Sequence, residues 1–389
     1  MEKAKLWTKE YIITTCGNFL IALNHFLLLI VMSGYTIGKF GVSESLAGLT
    51  ASIFVVGAIA ARLLTGRWIA RVGYKKMLLG GAVGNVVFTF AYFFADSVPL
   101  LLAVRILSGV TFGIITTSAA TIIADITPQE RRGEGIGYYS LSQILAIATG
   151  PFLGMLLSTH GSFNTIIGAC LITAIVNVAI ITRMTLKKAH LPAETAGEFG
   201  LAKYIELRVI SISVITMLIY ICYSSVVSFL AVYAKQISLE TSAGFFFVIY
   251  AIFVLVSRPF VGKLFDRRGE HVIMYPAIVM FSIGLCLFSQ SYSGGVLLSA
   301  AACIGLGLGS IQSSTQAIAV KVTPQRRMGL ANSTYFMFCD VGMGIGPVLV
   351  GFLIPFTGYR GMYLCAAGIA FVCLALYYLL HHQRYIIRT

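Results

Sequence analysis

Long runs of apolar residues, separated by short polar stretches, extend along almost the whole chain. A helix needs about 20 mostly apolar residues to cross the hydrocarbon core of a bilayer. The runs are continuous, whereas the strands of a membrane barrel alternate apolar and polar residues over about ten positions. The pattern therefore predicts twelve membrane-spanning helices. They are expected at 11–35, 46–66, 77–95, 99–123, 138–158, 163–183, 207–234, 243–264, 272–290, 295–320, 331–354 and 360–380.

The composition favours the same class of protein. Of the 389 residues, 58% are hydrophobic and 11% are charged, whereas a soluble domain has about 45–50% apolar and about 25% charged residues. A water-soluble core has no room for that much apolar surface, which argues against a cytoplasmic enzyme, a secreted domain or a disordered chain. The eight cysteines lie inside apolar runs without C-x-x-C spacing, so we expect small buried residues rather than disulfides or metal ligands.

The net charge of +14 is distributed as membrane topology requires. Nucleic-acid binding needs Lys and Arg clustered on one water-facing surface, but here they occupy alternate loops, and the other loops hold only Lys39, Lys235 and Arg360. The positive-inside rule then predicts that both termini are cytoplasmic, and no nucleic-acid partner is expected. The basic loops contain Arg67, Arg71, Lys75, Lys76, Arg131, Arg132, Lys187, Lys188, Lys203, Lys263, Arg267, Arg268, Lys321, Arg326, Arg327, Arg384 and Arg388.

Two halves of the chain repeat one pattern at an offset of 196 residues. Gly66-Arg-Trp-Ile-Ala-Arg-Val-Gly73 matches Gly262-Lys-Leu-Phe-Asp-Arg-Arg-Gly269, and further matches at this offset follow in spans four and five. Such a parallel repeat is one plan of membrane transporters, with the substrate site between the repeats. We expect an all-α protein with two pseudo-symmetric six-helix bundles. The predicted limits are 1–183 for the first bundle, 184–206 for a cytoplasmic linker and 207–389 for the second bundle.

These motifs resemble those of the major facilitator superfamily over nearly the whole chain. The segment from Gly66 to Lys75 is similar to the family's loop 2–3 signature, and Leu102-x-x-Arg105-x-x-Ser-Gly109 is similar to its fourth-helix motif. Ala146-x-x-x-Gly150-Pro151-x-x-Gly154 is similar to the fifth-helix motif of antiporters. The resemblance implies a twelve-span transporter of the drug-or-metabolite:proton antiporter branch, monomeric by family default.

The chain departs from the family pattern at informative positions. The acidic residue usual in loop 2–3 is Ala70 here, whereas the second copy keeps Asp266. In the family this carboxylate helps to latch the cytoplasmic side, so we expect the first latch to be weaker or built differently. Ala146 and Met155 replace usual glycines of the fifth-helix motif, which weakens the antiporter interpretation.

Residues of the repeated motifs are the gating candidates. Glycines permit tight turns and close helix approach, prolines kink helices, and basic side chains at helix ends meet carbonyls and anionic headgroups. The alternative for the basic residues is topology anchoring alone. The candidates are Gly66, Arg67, Arg71, Gly73, Lys75, Gly150, Pro151, Gly262, Asp266, Arg267, Gly269, Gly346 and Pro347.

Charged and polar residues inside the spans are candidates for coupling and substrate contact, because intramembrane charge is costly and usually functional. Asp340, deep in span eleven, either exchanges a proton during transport or pairs statically with Arg62 or another cation. Arg105 and His25 are further coupling candidates, with packing as the alternative for His25. In the superfamily, spans one, four, seven and ten line the cavity. The cavity candidates are Asn18, His25, Arg105, Tyr220, Tyr223, Gln312 and Gln316. One face of span four holds Arg105, Gly109, Gly113 and Thr117, and the matching face of span ten holds Gly305, Gly309, Gln312 and Gln316. The resemblance implies that both faces line the cavity, and ordinary contact between helices is the alternative.

The leading hypothesis is a secondary active transporter of the cell membrane that exports a small amphipathic drug or metabolite by alternating access, driven by the proton gradient. A proton-coupled importer or facilitator of a small nutrient is the alternative. An integral membrane enzyme would need a nucleophile–base set or a metal cluster, and a receptor leaves the repeated loops unexplained. We expect a small-molecule substrate and membrane lipids as partners, with no cofactor and no metal.

Overall fold

The computed structural model describes residues 5–185 and 204–382, which contain helices and no strands. Fourteen α-helices lie in these described ranges. They are α1 Lys9–Phe40, α2 Glu44–Ser52, α3 Phe54–Val72, α4 Tyr74–Ala91, α5 Val98–Ile126, α6 Arg132–His160, α7 Phe163–Thr182, α8 Ile210–Gln236, α9 Glu240–Gly244, α10 Phe246–Arg268, α11 His271–Ser289, α12 Gly294–Lys321, α13 Met328–Gly351 and α14 Ile354–Tyr377.

Twelve helical segments in the described residues are long and apolar enough to cross a membrane. The second of these spans combines α2 and α3, while the five-residue α9 is too short to span. The all-α, twelve-span fold class is therefore confirmed. Most of the predicted linker, together with Lys187, Lys188, Lys203, Arg384 and Arg388, lies outside the described residues.

Helix ends follow local chemistry. The side chain of Thr8 accepts a hydrogen bond from the amide of Tyr11 at the start of α1, which satisfies one free donor of the first turn. Gly73, between α3 and α4, has a φ of 88°, and Gly269, between α10 and α11, has a φ of 83°. Because L side chains rarely adopt this left-handed region, the repeated motifs need glycine where they turn.

The chain divides into two units by internal contact, and two helices belong to both. The first part of α6 lies in the second unit and its remainder in the first, while α13 shows the reverse. The two crossing points follow Leu141 and Met337, which are again 196 residues apart. Each unit therefore includes a short segment of the other repeat, and the sequence-based limits at 183 and 207 stay predictions. Within the described residues, the first unit comprises 5–128, 142–185, 204–207 and 324–337, and the second comprises 129–141, 208–323 and 338–382.

The glycine stripes of α5 and α12 are packing surfaces. A Cβ atom at Gly109 would overlap the carbonyl oxygen of Phe54 in α3, and one at Gly113 would lie 2.7 Å from the carbonyl oxygen of Ala58. In the second unit, a Cβ at Gly305 would lie 2.6 Å from the carbonyl oxygen of Tyr250 in α10. The expectation that these glycines line a cavity is therefore wrong, because a neighbouring helix backbone already occupies that space.

The cysteines are free thiols, but not all of them are buried as expected. Three of them are exposed on spanning helices, where a thiol meets hydrocarbon at little cost because it behaves as a small apolar group. The exposed cysteines are Cys16, Cys286 and Cys365, the partly exposed one is Cys303, and the buried ones are Cys170, Cys222, Cys339 and Cys373.

Gly109→Ala should lower the thermal stability, because the added methyl group forces α5 away from the backbone of α3. Overpacking of this kind costs about 1–3 kcal/mol. The matched control is Gly80→Ala in α4, where an added Cβ meets nothing within 4 Å, so the better helix propensity of Ala should leave stability unchanged or raised by up to about 1 kcal/mol. The melting temperature of each variant can be measured from the reaction of a thiol-specific fluorophore with the buried cysteines on heating. Equal melting temperatures for the two variants would contradict the packing role.

Candidate functional site

The start of α6 is held by a carboxylate from the other repeat. Asp266, near the end of α10, accepts hydrogen bonds from the amides of Gly133 at 2.7 Å and of Glu134 at 3.0 Å. All three residues belong to the second unit. The first amides of a helix have no partner within the helix and stand at the positive end of its dipole. Asp266 thus satisfies two donors and places a negative charge where the helix favours one.

Close approach at this point depends on the first glycine of each motif copy. A Cβ at Gly262 would lie 2.6 Å from the Cα of Glu134 in the second unit. In the first unit, a Cβ at Gly66 would lie 2.9 Å from the Cα of Leu330. Leu330 follows Glu134 by 196 residues, as Gly262 follows Gly66. Both units therefore repeat one contact, a motif glycine against the start of a helix from the other repeat.

At the start of α13 the contacts differ, because Ala70 stands where Asp266 stands in the second copy. The hydroxyl of Ser333 donates to the carbonyl oxygen of Arg62, and Arg327 forms an ion pair with the buried carboxylate of Glu206. The amide of Glu206 donates to the hydroxyl of Thr334 at 2.9 Å. These residues lie in the first unit. A hydroxyl and an ion pair thus hold α13 where a carboxylate holds α6.

The basic residues of the motif have separate surroundings. Lys75 donates to the carbonyl oxygen of Met184 at 2.6 Å, after the end of α7. The guanidinium carbon of Arg67 lies 5.7 Å from the ring centroid of Tyr204. Arg71 and Arg267 are exposed at the ends of α3 and α10. Lys75 therefore links the start of α4 to the segment that follows α7.

The glycine–proline pairs lie in the helices that cross between the units. A Cβ at Gly150 of α6 would lie 3.1 Å from the amide nitrogen of Leu27 in α1, and one at Gly346 of α13 would lie 3.0 Å from the Cα of Ile221 in α8. Pro347 is inside α13, and Pro151 is inside α6. The glycines let α6 and α13 pack closely on the first helix of each repeat.

Arg105 is fully buried and spans a break in the second membrane span. The helix is interrupted at Ile53, between α2 and α3. Arg105 donates to the carbonyl oxygens of Thr50 at 2.8 Å and Ala51 at 2.7 Å, and its guanidinium carbon lies 5.0 Å from the ring centroid of Phe54. Carbonyls freed by a break need a donor in an apolar interior. Arg105 therefore stabilises the break.

His25 lies beside Arg105 at a small cavity in the first unit. Its ring stacks on Phe54 with centroids 4.2 Å apart, and its Nδ1 has no hydrogen-bond partner in the described part of the chain. Asn85 and Thr89 of α4 also line the cavity, although no sequence motif marked them. The cavity has a volume of about 20 Å³, room for about one water. It is far smaller than a site for a drug-sized ligand, about 300–1,000 Å³.

The other cavity candidates are buried or partly buried polar side chains. Asn18 of α1 donates to the hydroxyl of Ser142 in α6 at 2.8 Å, inside the first unit. In the second unit, Tyr223 of α8 stacks on Tyr250 of α10 with centroids 5.9 Å apart. Three more candidates belong to that unit. Gln312 and Gln316 are buried in α12, and Tyr220 is partly buried in α8.

Asp340 lies in the middle of α13 and is partly buried. Over the ranges that the structure describes, the other carboxylates lie outside the spanning helices or within a few residues of their ends. A carboxylate at this depth is costly and marks a functional position by default. Proton exchange and a static pair with a cation both stay predictions for Asp340.

A second buried carboxylate, Glu270, precedes α11. It contacts Lys321 of α12 at 2.7 Å, and its other oxygen lies 3.7 Å from Nε2 of His381. Burial alone would raise the pKa of Glu270, but the contacts with His381 and Lys321 outweigh burial and lower the pKa to about 2. Glu270 therefore joins the ends of α11, α12 and the last spanning segment.

A match between the sequence and a family model identifies the family of this chain. The family model described as Major Facilitator Superfamily matches residues 14–343 and, in a second match, 268–386. The chain belongs to the major facilitator superfamily. As a member of this superfamily it is a transporter and not an enzyme, and it is a multi-pass membrane protein.

Several relatives of this superfamily transporter are similar over most of their length. An MFS-type transporter of Methanocaldococcus jannaschii is 27% identical over 81% of this chain and 84% of its own length. A multi-drug resistance efflux pump PmrA homolog of Lactococcus lactis is 26% identical over 91% of this chain and 90% of the relative. The multidrug resistance protein MdtG of Salmonella typhimurium is 24% identical over 93% of each chain.

Solved structures of superfamily members share the fold. The human organic anion transporter MFSD10 gives a TM-score of 0.75 at 16% identity, over 95% of this chain and 98% of that chain. The proton:xylose symporter XylE gives a TM-score of 0.78 at 14% identity, over 95% and 94%. At such low identity the likeness shows the fold alone.

Glu270→Gln should destabilise the transporter at neutral pH by about 1–3 kcal/mol, because the charged hydrogen bond to Lys321 is lost. Since the folded pKa is lowered from 4.5 to about 2, the wild type should keep this stabilisation above about pH 5 and lose it as the pH falls toward 2. The variant should lack that loss. Melting temperatures across this range, with exposed Glu240→Gln as control, test the prediction, and parallel pH curves for the wild type and Glu270→Gln would contradict it.

Proposed function

We propose that this transporter exports small amphipathic drugs or metabolites by alternating access, coupled to proton entry. The observation that most favours efflux is the similarity to the PmrA homolog and MdtG, which are named for multidrug resistance and match over nine-tenths of both chains. The distribution of basic residues favours the cell membrane with both termini in the cytoplasm. We expect a monomer.

A second candidate is proton-coupled import, or facilitated passage, of a small nutrient. The specific observation in its favour is the fold shared with XylE, a proton:xylose symporter. Because one fold serves both directions of transport, direction has to be measured.

Alternating access in this proposal depends on the starts of α6 and α13. Asp266 holds the start of α6, whereas Ser333 and the Glu206–Arg327 ion pair hold the start of α13. Each set joins residues of the first sequence repeat to residues of the second. In this proposal, opening toward the cytoplasm separates the two repeats at these points and breaks both sets of contacts, and closing restores them. The rate of the cycle is then set partly by the strength of these contacts, since small free energies at a bistable contact shift conformational populations.

Proton coupling is assigned to Asp340. Its position in the middle of α13 supports this role, because a carboxylate inside a spanning helix is costly and is usually functional. The helix that contains Asp340 also begins at one of the gate contacts, through Ser333. Protonation and gate movement are thus linked through one helix.

Asp340→Asn should abolish substrate-driven proton movement while the protein still folds. The assay uses proteoliposomes with a pH-sensitive dye inside. When a transported compound is added, wild type should change the pH of the lumen. In the variant, the rate of that pH change should be lower by at least roughly 100-fold, as is typical when a proton-transfer group is lost. Exposed Glu240→Gln is the matched control.

Unchanged proton movement in Asp340→Asn would contradict the coupling role and leave Asp340 as a structural partner. Substrate movement without any proton movement in wild type would contradict antiport itself and indicate uniport. Compounds from the amphipathic drug class and simple sugars, added from either side, separate export from nutrient import.

Ala70→Asp should strengthen the first gate contact. It places a carboxylate at the position equivalent to Asp266, near the start of α13 at Gly329. A charge at a helix N-terminus contributes about 0.3–1 kcal/mol, and up to about 2 kcal/mol when partly buried. The variant should melt at a higher temperature and transport more slowly, whereas Ala70→Asn, which adds an acceptor but no charge, should have a smaller effect on both. Faster transport, or an equal effect of Ala70→Asn, would contradict the gate interpretation.

A further inference from the structure

A groove runs along the surface of the second unit, between α11 and α14. It has a volume of about 530 Å³ and follows α11 from Val279 to Gln290 and α14 from Leu364 to Phe371. Its walls are almost wholly apolar, and its exposed side chains include Ile283 and Phe371, which are 43% and 61% exposed. Both helices are long and apolar enough to span a membrane, so we expect hydrocarbon around this exposed apolar groove.

The α11 wall of the groove is about as long as one leaflet is thick, and the α14 wall, from Leu364 to Phe371, is about 10 Å long. From Val279 to Gln290 the helix rises about 16 Å, at about 1.5 Å per residue. The hydrocarbon core of a bilayer is about 30 Å thick, so one leaflet contributes about 15 Å. Gln290 lies at the opposite end of α11 from the basic pair Arg267 and Arg268, and the positive-inside rule puts that end on the outer side.

Polar groups gather where the groove ends. The hydroxyl of Tyr292 donates to the side-chain oxygen of Gln290 at 2.9 Å, and the guanidinium carbon of Arg360 lies 4.1 Å from the ring centroid of Tyr292. Arg360 precedes Leu364 by one helical turn, on the same face of α14. Helical side chains lean toward the N-terminus of their helix, which for α14 is the end where the groove reaches Gln290.

We propose that this groove binds one acyl chain of an outer-leaflet phospholipid and that Arg360 binds the phosphate of the same lipid. The apolar walls fit the chain, the length of the α11 wall fits one leaflet, and a guanidinium forms paired, charge-assisted hydrogen bonds with phosphate oxygens. Gly368 forms part of the wall, where a Cβ would meet nothing within 4 Å. The proposal is independent of the direction and coupling of transport.

Photocrosslinking in proteoliposomes tests the proposal. The probe is phosphatidylglycerol with a diazirine in the middle of one acyl chain, present in trace amount, and peptide mass spectrometry locates the crosslinks. Wild type should concentrate crosslinks in 279–290 and 364–371. Gly368→Trp should fill the groove and lower that yield roughly tenfold, while Ile172→Trp should leave it unchanged. Ile172 is the matched control because it is 65% exposed and lies 196 residues before Gly368 in the repeat.

A second lipid probe tests the proposed contact between Arg360 and the phosphate. A diacylglycerol probe with the same diazirine chain lacks the phosphate and should crosslink roughly tenfold less in wild type. Arg360→Gln should bring the phosphatidylglycerol yield down to the diacylglycerol yield. Equal crosslinking of wild type and Gly368→Trp, or equal yields of the two probes, would overturn the proposal and leave ordinary annular lipid contact. Melting temperatures confirm that each variant is folded.

Discussion

The first amides of a helix need acceptors, and in this protein that constraint acts where two helices begin. Asp266 supplies both of its oxygens to the amides of Gly133 and Glu134 at the start of α6. The contact is possible only because Gly262 leaves room for the backbone of α6. A carboxylate at a helix N-terminus satisfies donors and complements the dipole in one contact. The position of the start of α6, and with it the proposed gate, depends on this arrangement.

The same arrangement recurs with different chemistry at the start of α13. Gly66 keeps the close approach, but Ala70 cannot supply a carboxylate. Ser333 bonds to the carbonyl of Arg62, and Arg327 pairs with Glu206 just before the helices of the second repeat. The two repeats are therefore alike in backbone geometry and unlike in electrostatics. The start of α13 is thereby tied to the chain segment around Glu206, whereas Asp266 alone supplies both acceptors at the start of α6.

Sequence reasoning was accurate where one physical rule acts on a continuous stretch. Hydrocarbon thickness fixes the length of a spanning helix, so the twelve spans could be predicted. The offset of 196 residues identified the motif glycines. The same offset makes Gly133 and Gly329 equivalent, but the sequence did not reveal that both lie in the first turn of a helix. The glycine stripe of α5 was assigned to a cavity because small residues suit both a cavity wall and a tight helix contact.

The break at Ile53 and its partner Arg105 were not predicted, because no residue pattern in 46–66 marks a free carbonyl. Arg105 belongs to a sequence motif, but its hydrogen-bond partners are backbone carbonyl oxygens. Since every residue has such an oxygen, the sequence does not indicate which ones Arg105 contacts. Asn85 and Thr89 were missed for a related reason, since they meet His25 only through the packing of α4. Exposed cysteines such as Cys286 were predicted to be buried because apolar runs do not reveal which helix face meets lipid.

The most direct measurement is hydrogen–deuterium exchange over residues 129–141 in lipid nanodiscs, comparing wild type with Asp266→Asn. The variant keeps the shape of the side chain but removes its charge and one acceptor oxygen. If Asp266 holds the start of α6, the amides of Gly133 and Glu134 exchange slowly in wild type and roughly tenfold or more faster in the variant, as expected for the loss of a charge-assisted contact. Equal exchange in both proteins would contradict the central role of this contact.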